Sequence, residues 1–91
     1  MALITAWLNI EEQRVVPALR EAADKLEGTE GEVVLDFGSV RRIDSSALRA
    51  MEEFAGIADE KAVKVVLRGV NVDVYKVLKL VKLAPRFSFV S

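Results

Sequence analysis

Short apolar segments alternate with helical segments along this chain, and that alternation limits the possible fold more than any other feature of the sequence. The segments expected to form strands cover residues 3–8, 33–37, 63–67 and 87–90. Strands that alternate with helices in this way are joined by right-handed crossovers and form a mostly parallel sheet. The sequence therefore predicts an α/β fold of order β-α-β-α-β-α-β, with the helices packed on the sheet.

The three intervening segments carry the spacing and the end signals of helices. Residues 12–27 show an amphipathic pattern, in which Pro17 fits only a first turn and Gly28 ends the helix. Residues 45–59 divide into an apolar half and a charged half. Asn71 is a favourable N-cap for a third helix running to about Lys82. With 91 residues, the chain is expected to form one domain over residues 1–91.

Histidine and cysteine are both absent from the sequence. Their absence excludes Ser-His and Cys-His nucleophiles, thiol redox centres, zinc sites of the Cys/His type and disulfide bonds. A net charge of −1 argues against a nucleic-acid partner, because proteins that bind nucleic acids usually carry an excess of basic residues. No signal peptide or spanning segment is predicted. These features together indicate a cytoplasmic domain.

The most informative segment runs from the strand at residues 33–37 through a loop into the sequence Asp-Ser-Ser-Ala-Leu at 44–48. Such a strand-to-helix junction lies at the carboxyl end of a parallel strand, where sites are commonly built. Asp44 or Ser45 could act simply as the N-cap of the helix. One cap is enough, however, so a hydroxyl remains available for function.

Residues 33–48 resemble the core motif of STAS domains, a family named for sulfate transporters and anti-sigma factor antagonists. In the antagonist branch, a partner kinase phosphorylates the second hydroxyl of this motif. The resemblance implies that Ser46 is the phosphoacceptor, with Asp44, Ser45 and Ala47 as the supporting motif. An added phosphate at a helix N-terminus brings about −1.5 to −2 charge and would repel a partner docked there.

The resemblance further implies a protein-interaction module that is not an enzyme and whose partner is an anti-sigma factor or serine kinase. The expected partner surface is the loop at residues 38–46 and the exposed face of the following helix. Its candidate residues are Arg41, Arg42, Leu48, Arg49, Glu52 and Glu53. Because the chain has no imidazole to activate a serine, any chemistry at Ser46 must come from another protein.

Two departures from the family pattern leave a second interpretation open. Ala47 stands where the family usually has glycine, and its methyl group is expected to crowd an approaching partner. Asn9 stands near where phosphorylated members carry an aspartate. Residues 68–80 are similar to the small cytoplasmic STAS subunit of Mla-type phospholipid transporters, which implies constitutive binding to a transporter ATPase. The partner and the oligomeric state stay open.

Other candidate sites are weaker. The basic side chains Lys76, Lys79, Lys82 and Arg86 suggest a solvated helix face more than a phosphate or lipid site. Trp7, in an apolar strand, is expected in the core. Asp36 and Asp44 could form a Mg²⁺ site or a hydrolase centre only with further oxygen ligands, and no glycine-rich phosphate loop is present. No metal or other cofactor is therefore expected.

Overall fold

The sheet has the predicted parallel topology in a computed structural model that describes residues 4–28 and 31–90. Its strands are β1 (Ile4–Asn9), β2 (Gly31–Asp36), β3 (Lys64–Arg68) and β4 (Ser88–Val90). The helices are α1 (Val15–Lys25), α2 (Ser45–Glu60) and α3 (Val72–Leu80). The strands lie in the order β1-β2-β3-β4, and every neighbouring pair is parallel. The α/β class and the order of elements are confirmed.

The start of α1 follows from the position of its proline. A 3-10 turn at Glu12–Arg14 precedes the helix, and Pro17 is the third helical residue. A first-turn residue needs no N–H donor, so proline costs the helix no hydrogen bond there. A second 3-10 turn, Leu26–Gly28, ends the segment. Residue 3 of the predicted first strand and residues 29–30, which follow the predicted helix end at Gly28, lie outside the described residues.

Both α2 and α3 end in the same hydrogen-bonded motif. After α3, the N–H of Leu83 donates to the carbonyl of Leu78 at 2.8 Å, and Lys82 takes a left-handed φ of 63°. After α2, the N–H of Val63 donates to the carbonyl of Ala58 at 2.9 Å. This pattern is the Schellman motif, which satisfies the last helical carbonyls. It ends α3 at Leu80, two residues earlier than the sequence predicts.

The core lies between the helices and one face of the sheet. Side chains alternate along each strand, and one set packs against buried residues of all three helices. The sheet contributes Val33, Leu35, Val65 and Leu67 to this cluster, and the helices contribute Leu19, Phe54 and Leu78 among others. Burial of each such side chain stabilises the fold by about 1.5–3 kcal/mol. The cluster fixes where α2 begins relative to the sheet.

The prediction that Trp7 lies in the core is wrong. Its side chain is 55% exposed, and the Arg68 guanidinium carbon lies 5.1 Å from the ring centroid. In the alternation along β1, Ala6 and Leu8 pack on the core, so Trp7 points to the opposite face of the sheet. The apolar composition of β1 predicted that both of its faces are buried, but the helices cover only one face of the sheet.

Candidate functional site

The N-terminus of α2 is capped by Asp44, so the cap interpretation of this residue is confirmed and Ser45 is not the cap. The Asp44 carboxylate Oδ1 accepts a hydrogen bond from the N–H of Ala47 at 2.8 Å. Its backbone carbonyl accepts from the N–H of Leu48 at 3.0 Å. Asp44 caps the Ala47 N–H with its side chain, and neither serine hydroxyl is needed for that role.

Ser45 and Ser46 occupy the first two positions of α2, and both are exposed. In the part of the chain that the structure describes, their backbone N–H groups donate to no protein acceptor. Unpaired N–H groups and the aligned peptide dipoles give a helix N-terminus a partial positive charge. A phosphate on either hydroxyl would therefore meet donors and a favourable field.

Ala47 faces inward, and the expectation that its methyl group crowds a partner is wrong. The residue is 4% exposed and belongs to the hydrophobic core. It is the third residue of a helix, so its side chain points away from the exposed hydroxyl of Ser46 one residue earlier. The alanine therefore stabilises the start of α2 by burial.

Two side chains from outside the motif hold the loop that leads into α2. The Glu12 carboxylate Oε1 accepts from the N–H groups of Arg41 and Arg42, at 2.8 and 3.0 Å. From the other side, the Asn71 amide Nδ2 donates to the carbonyls of Val40 and Arg41, at 3.4 and 3.2 Å. The loop is thus fixed between the start of α1 and the start of α3.

Sequence reasoning missed both loop contacts. Glu12 lies about 30 residues from the groups it binds, and no local pattern indicates such a partner. Asn71 was correctly predicted as an N-cap, since its Oδ1 accepts from the N–H of Val74 at 2.8 Å. The same amide uses its nitrogen for the loop, a second role that a cap signal does not reveal. Asn at this position, where Asp or Ser would cap equally well, is the available hint, because its amide also has a donor.

Replacing Asn71 separates its two roles. Asn71→Ala removes the cap and the loop contact, and we expect it to lower the free energy of unfolding by about 1–2 kcal/mol. Asn71→Asp keeps an acceptor for Val74 but turns carboxylate oxygens toward the loop carbonyls. It should retain most of the stability in urea unfolding while amide exchange in residues 40–43 accelerates. Equal protection of that loop in both variants and the native protein would contradict the assignment.

The candidate partner residues surround the exposed side of α2. Arg41 and Arg42 are exposed on the loop, Arg49, Glu52 and Glu53 are exposed on the helix, and Leu48 is half-buried. One groove, between α1 and α2, is lined by Arg20, Ser46, Arg49 and Glu53. A second groove, on the other side of α2, is lined by Ser45, Leu48, Glu52 and Val81 among others. Ser46 therefore opens onto a concave surface with charged walls.

The charged side chains of this surface are available to a partner. Over residues 4–28 and 31–90, the ion pairs are Lys61–Glu27 at 3.9 Å and Arg86–Asp59 at 2.7 Å. Neither pair includes a candidate partner residue. Arg20 and Val16 of α1, which line the groove beside Ser46, are additions that the sequence did not suggest.

The acidic side chains near the motif have structural partners. Asp36 Oδ1 accepts from the N–H of Gly38 at 2.8 Å, and Asp44 caps α2. Within the described ranges, no three acidic residues come together in the way that a metal ion needs. These carboxylates shape the loop between β2 and α2.

Comparison with known proteins identifies the family. The sequence model of the STAS domain family matches residues 14–91, which is most of the chain. The chain belongs to the STAS domain family. Among proteins with curated descriptions, none matches this sequence.

Solved structures agree with the STAS fold. A crystal structure of the Thermotoga maritima protein TM1081, a proposed anti-sigma factor antagonist, superposes with a TM-score of 0.72 at 18% identity. The match covers 90% of this chain and 71% of the other. An NMR structure of TM1081 gives a TM-score of 0.73 at 19% identity, covering 96% and 72%. At these identities the similarity establishes the fold of the STAS domain.

The third helix of this STAS domain carries an unusually apolar outer surface. Val72, Tyr75, Leu80 and Val81 are all exposed, which explains why the apolar pattern of the segment covers most of its circumference. Lys76, Lys79 and Lys82 are also exposed, in agreement with a solvated helix face, whereas Arg86 pairs with Asp59. In the described part of the chain, no helix has the length and apolar character needed to cross a membrane.

Asn9 is the last residue of β1 in the STAS domain and is exposed. Its register partner is Asp36 at the end of β2, which in turn is paired with Arg68. The carboxyl edge of the sheet therefore presents an amide, a carboxylate and a guanidinium in one row. The Asn9 amide is neutral, and the Asp36 carboxylate beside it accepts from the N–H of Gly38.

Proposed function

We propose that this STAS domain is a protein-interaction module whose binding to an anti-sigma factor or serine kinase is switched by phosphorylation of Ser46. The observation that carries the proposal is the exposed Ser46 at the second position of α2, next to a carboxylate cap that leaves its hydroxyl unused. In this function the domain acts as a substrate and a ligand, because it has no histidine to activate the Ser46 hydroxyl itself. The kinase supplies both ATP and the catalytic groups.

The switch acts on the docking surface and leaves the fold intact. A phosphate on Ser46 adds about −1.5 to −2 charge at the open end of the groove between α1 and α2. The helix N-terminus tolerates that charge, so α2 stays folded. Glu53 lies on the same groove, and a partner that faces Ser46 and Glu53 would meet two negative groups where it met one. A partner that places an acidic group against this part of the groove therefore loses affinity by like-charge repulsion.

Phosphosite mapping and matched serine variants test this function. After incubation with an anti-sigma serine kinase of the same organism and ATP, mass spectrometry should place phosphate on Ser46. Ser46→Ala should abolish the modification, whereas Ser45→Ala, altered one position earlier in the same turn, should retain it. Ser46→Asp should weaken kinase binding about tenfold in calorimetry. Phosphate on Ser45 or unchanged binding by Ser46→Asp would contradict the proposal.

A second candidate function is a constitutive subunit bound to a transporter ATPase. The exposed apolar side chains along α3 favour it, with Val72 and Tyr75 lining one groove, because exposed apolar patches commonly mark protein interfaces. Neutral Asn9 is also compatible with a domain that is not phosphorylated. Stable co-purification with an ABC ATPase, lost in Leu80→Glu and retained in Ser46→Asp, would favour this function over the first. The reverse pattern would favour the phosphorylation switch.

A further inference from the structure

The two faces of the sheet have different surroundings. Sequential strands joined by right-handed crossovers place all three helices on one face. In agreement, one core cluster contains Leu35 and Leu67 of the central strands together with buried residues from every helix. Val34 and Val66, which alternate with those residues, are outside that cluster. They belong to the opposite face, here named the open face.

The open face comprises the outward side chains of four strands in register. They are Trp7, Asn9, Glu32, Val34, Asp36, Lys64, Val66, Arg68, Ser88 and Val90. No helix or loop within residues 4–28 and 31–90 joins them in a buried cluster. Parallel sheets are normally covered on both faces, so a sheet face exposed to water is unusual.

An apolar row crosses the centre of the open face. Trp7, Val34 and Val66 are register partners on β1, β2 and β3. The two valines are only 7% exposed, while Trp7 is more than half exposed. The Arg68 side chain reaches across β2 toward the Trp7 ring, which lies 5.1 Å away. The row is therefore partly screened by long side chains that could move aside on binding.

Charges flank this apolar row in a pattern that is complementary to itself. On one side Glu32 of β2 is the register partner of Lys64 of β3, and on the other side Asp36 is the partner of Arg68. On both sides of the apolar row, the acidic group therefore lies on β2 and the basic group on β3. Over the described part of the chain, neither basic side chain forms an ion pair. Both cations are available to a carboxylate outside the chain.

A two-fold axis parallel to the strands, between β2 and β3, brings these groups into register between two copies. It places Glu32 against Lys64 and Asp36 against Arg68 of the second copy, and each contact occurs twice. It also places Val34 against Val66, and Trp7 against the small Ser88. An interface related by a two-fold axis must be self-complementary in this way.

We propose that the open face is a self-association surface on which two copies of this chain pack face to face. Four strands about 4.8 Å apart, with about 3.3 Å per residue, give a face of roughly 20 by 20 Å. That is smaller than the ~800 Å² per partner of a standard interface. The dimer is therefore weak, and its formation depends on protein concentration and salt. It leaves Ser46 accessible, since α2 lies on the other side of the sheet.

Trp7 provides a specific probe, because it is the one tryptophan in the sequence. Raising the protein concentration from about 10 µM to about 1 mM should shift its emission to the blue and reduce acrylamide quenching. Sedimentation velocity over the same range should show a monomer–dimer equilibrium. A monomer throughout, or a dimer in which Trp7 emission stays unchanged, would overturn the proposal.

Charge reversal tests the arrangement of the two copies. Glu32→Lys and Lys64→Glu each place like charges in both symmetric contacts, and each should weaken association about tenfold. An equimolar mixture of the two variants restores opposite charges between copies and should associate as heterodimers. Association of each variant at the native level, or no recovery on mixing, would contradict the two-fold arrangement.

A control pair separates this effect from net charge and from folding. Glu60→Lys and Lys76→Glu make the same charge changes at exposed positions away from the open face. Each should associate as the native protein does, and mixing them should give no gain. Thermal unfolding of all four variants confirms that they fold. Loss of association in the control pair would overturn the assignment to the open face.

Discussion

Replacing Phe54 with alanine is expected to lower the free energy of unfolding by about 3–5 kcal/mol, the largest effect of any substitution considered for this domain. Phe54 is 2% exposed and packs in the core cluster from the middle of α2. Its removal leaves a cavity that the neighbouring helix and strands refill only in part. A chain of this length has a net stability of about 5–14 kcal/mol, so the loss is a large fraction of the total.

Urea unfolding followed by far-ultraviolet circular dichroism measures the change. Leu80→Ala is the matched control, since Leu80 also belongs to a helix but is 81% exposed. Truncation there should change the stability by no more than about 0.5 kcal/mol. Equal losses in the two variants would mean that Phe54 is not enclosed as the structure places it.

Replacing Gly69 with alanine is expected to cost about 2–4 kcal/mol, because its backbone conformation and the nearby backbone both disfavour a side chain. Gly69 has a φ of +73°, in the left-handed region that side chains rarely adopt. A Cβ atom there would lie 3.1 Å from the Cα and 3.2 Å from the nitrogen of Gly38. Both neighbours are backbone atoms, which cannot turn away as a flexible side chain can.

Gly56→Ala provides the opposite expectation within the same protein. Gly56 is in the interior of α2, and a Cβ added there meets nothing within 4 Å. Alanine at this position should stabilise the domain by about 0.5–1 kcal/mol through helix propensity. Thermal unfolding of both variants is the measurement. A Gly69→Ala protein as stable as the native one would contradict the close approach of the two loops.

The sequence predicted the elements well because their signals are local. Strand composition, Pro17, the Asp44 cap and the Asn71 cap each act within a few residues, and each has the predicted consequence. The end of α3 differed by two residues because the Schellman motif depends on Lys82 adopting a left-handed conformation, which lysine does not signal.

Features that depend on distant parts of the chain could not be predicted. Trp7 is in an apolar strand, and its exposure follows only from all three helices packing on the other face. The Glu12 contact with the loop likewise depends on the crossover between β1 and β2. The serine motif was visible in the sequence, but the groove beside it is formed jointly by α1 and α2.

The sequential order of the strands has a consequence for how this domain folds. Ile4 pairs with Gly31 and Glu32 pairs with Lys64, so only one helical crossover separates each pair of neighbouring strands. The first and last strands do not pair with each other. Loop closures of this size cost less chain entropy than pairing the two ends would. The domain is therefore expected to fold quickly for a parallel sheet, as one cooperative unit.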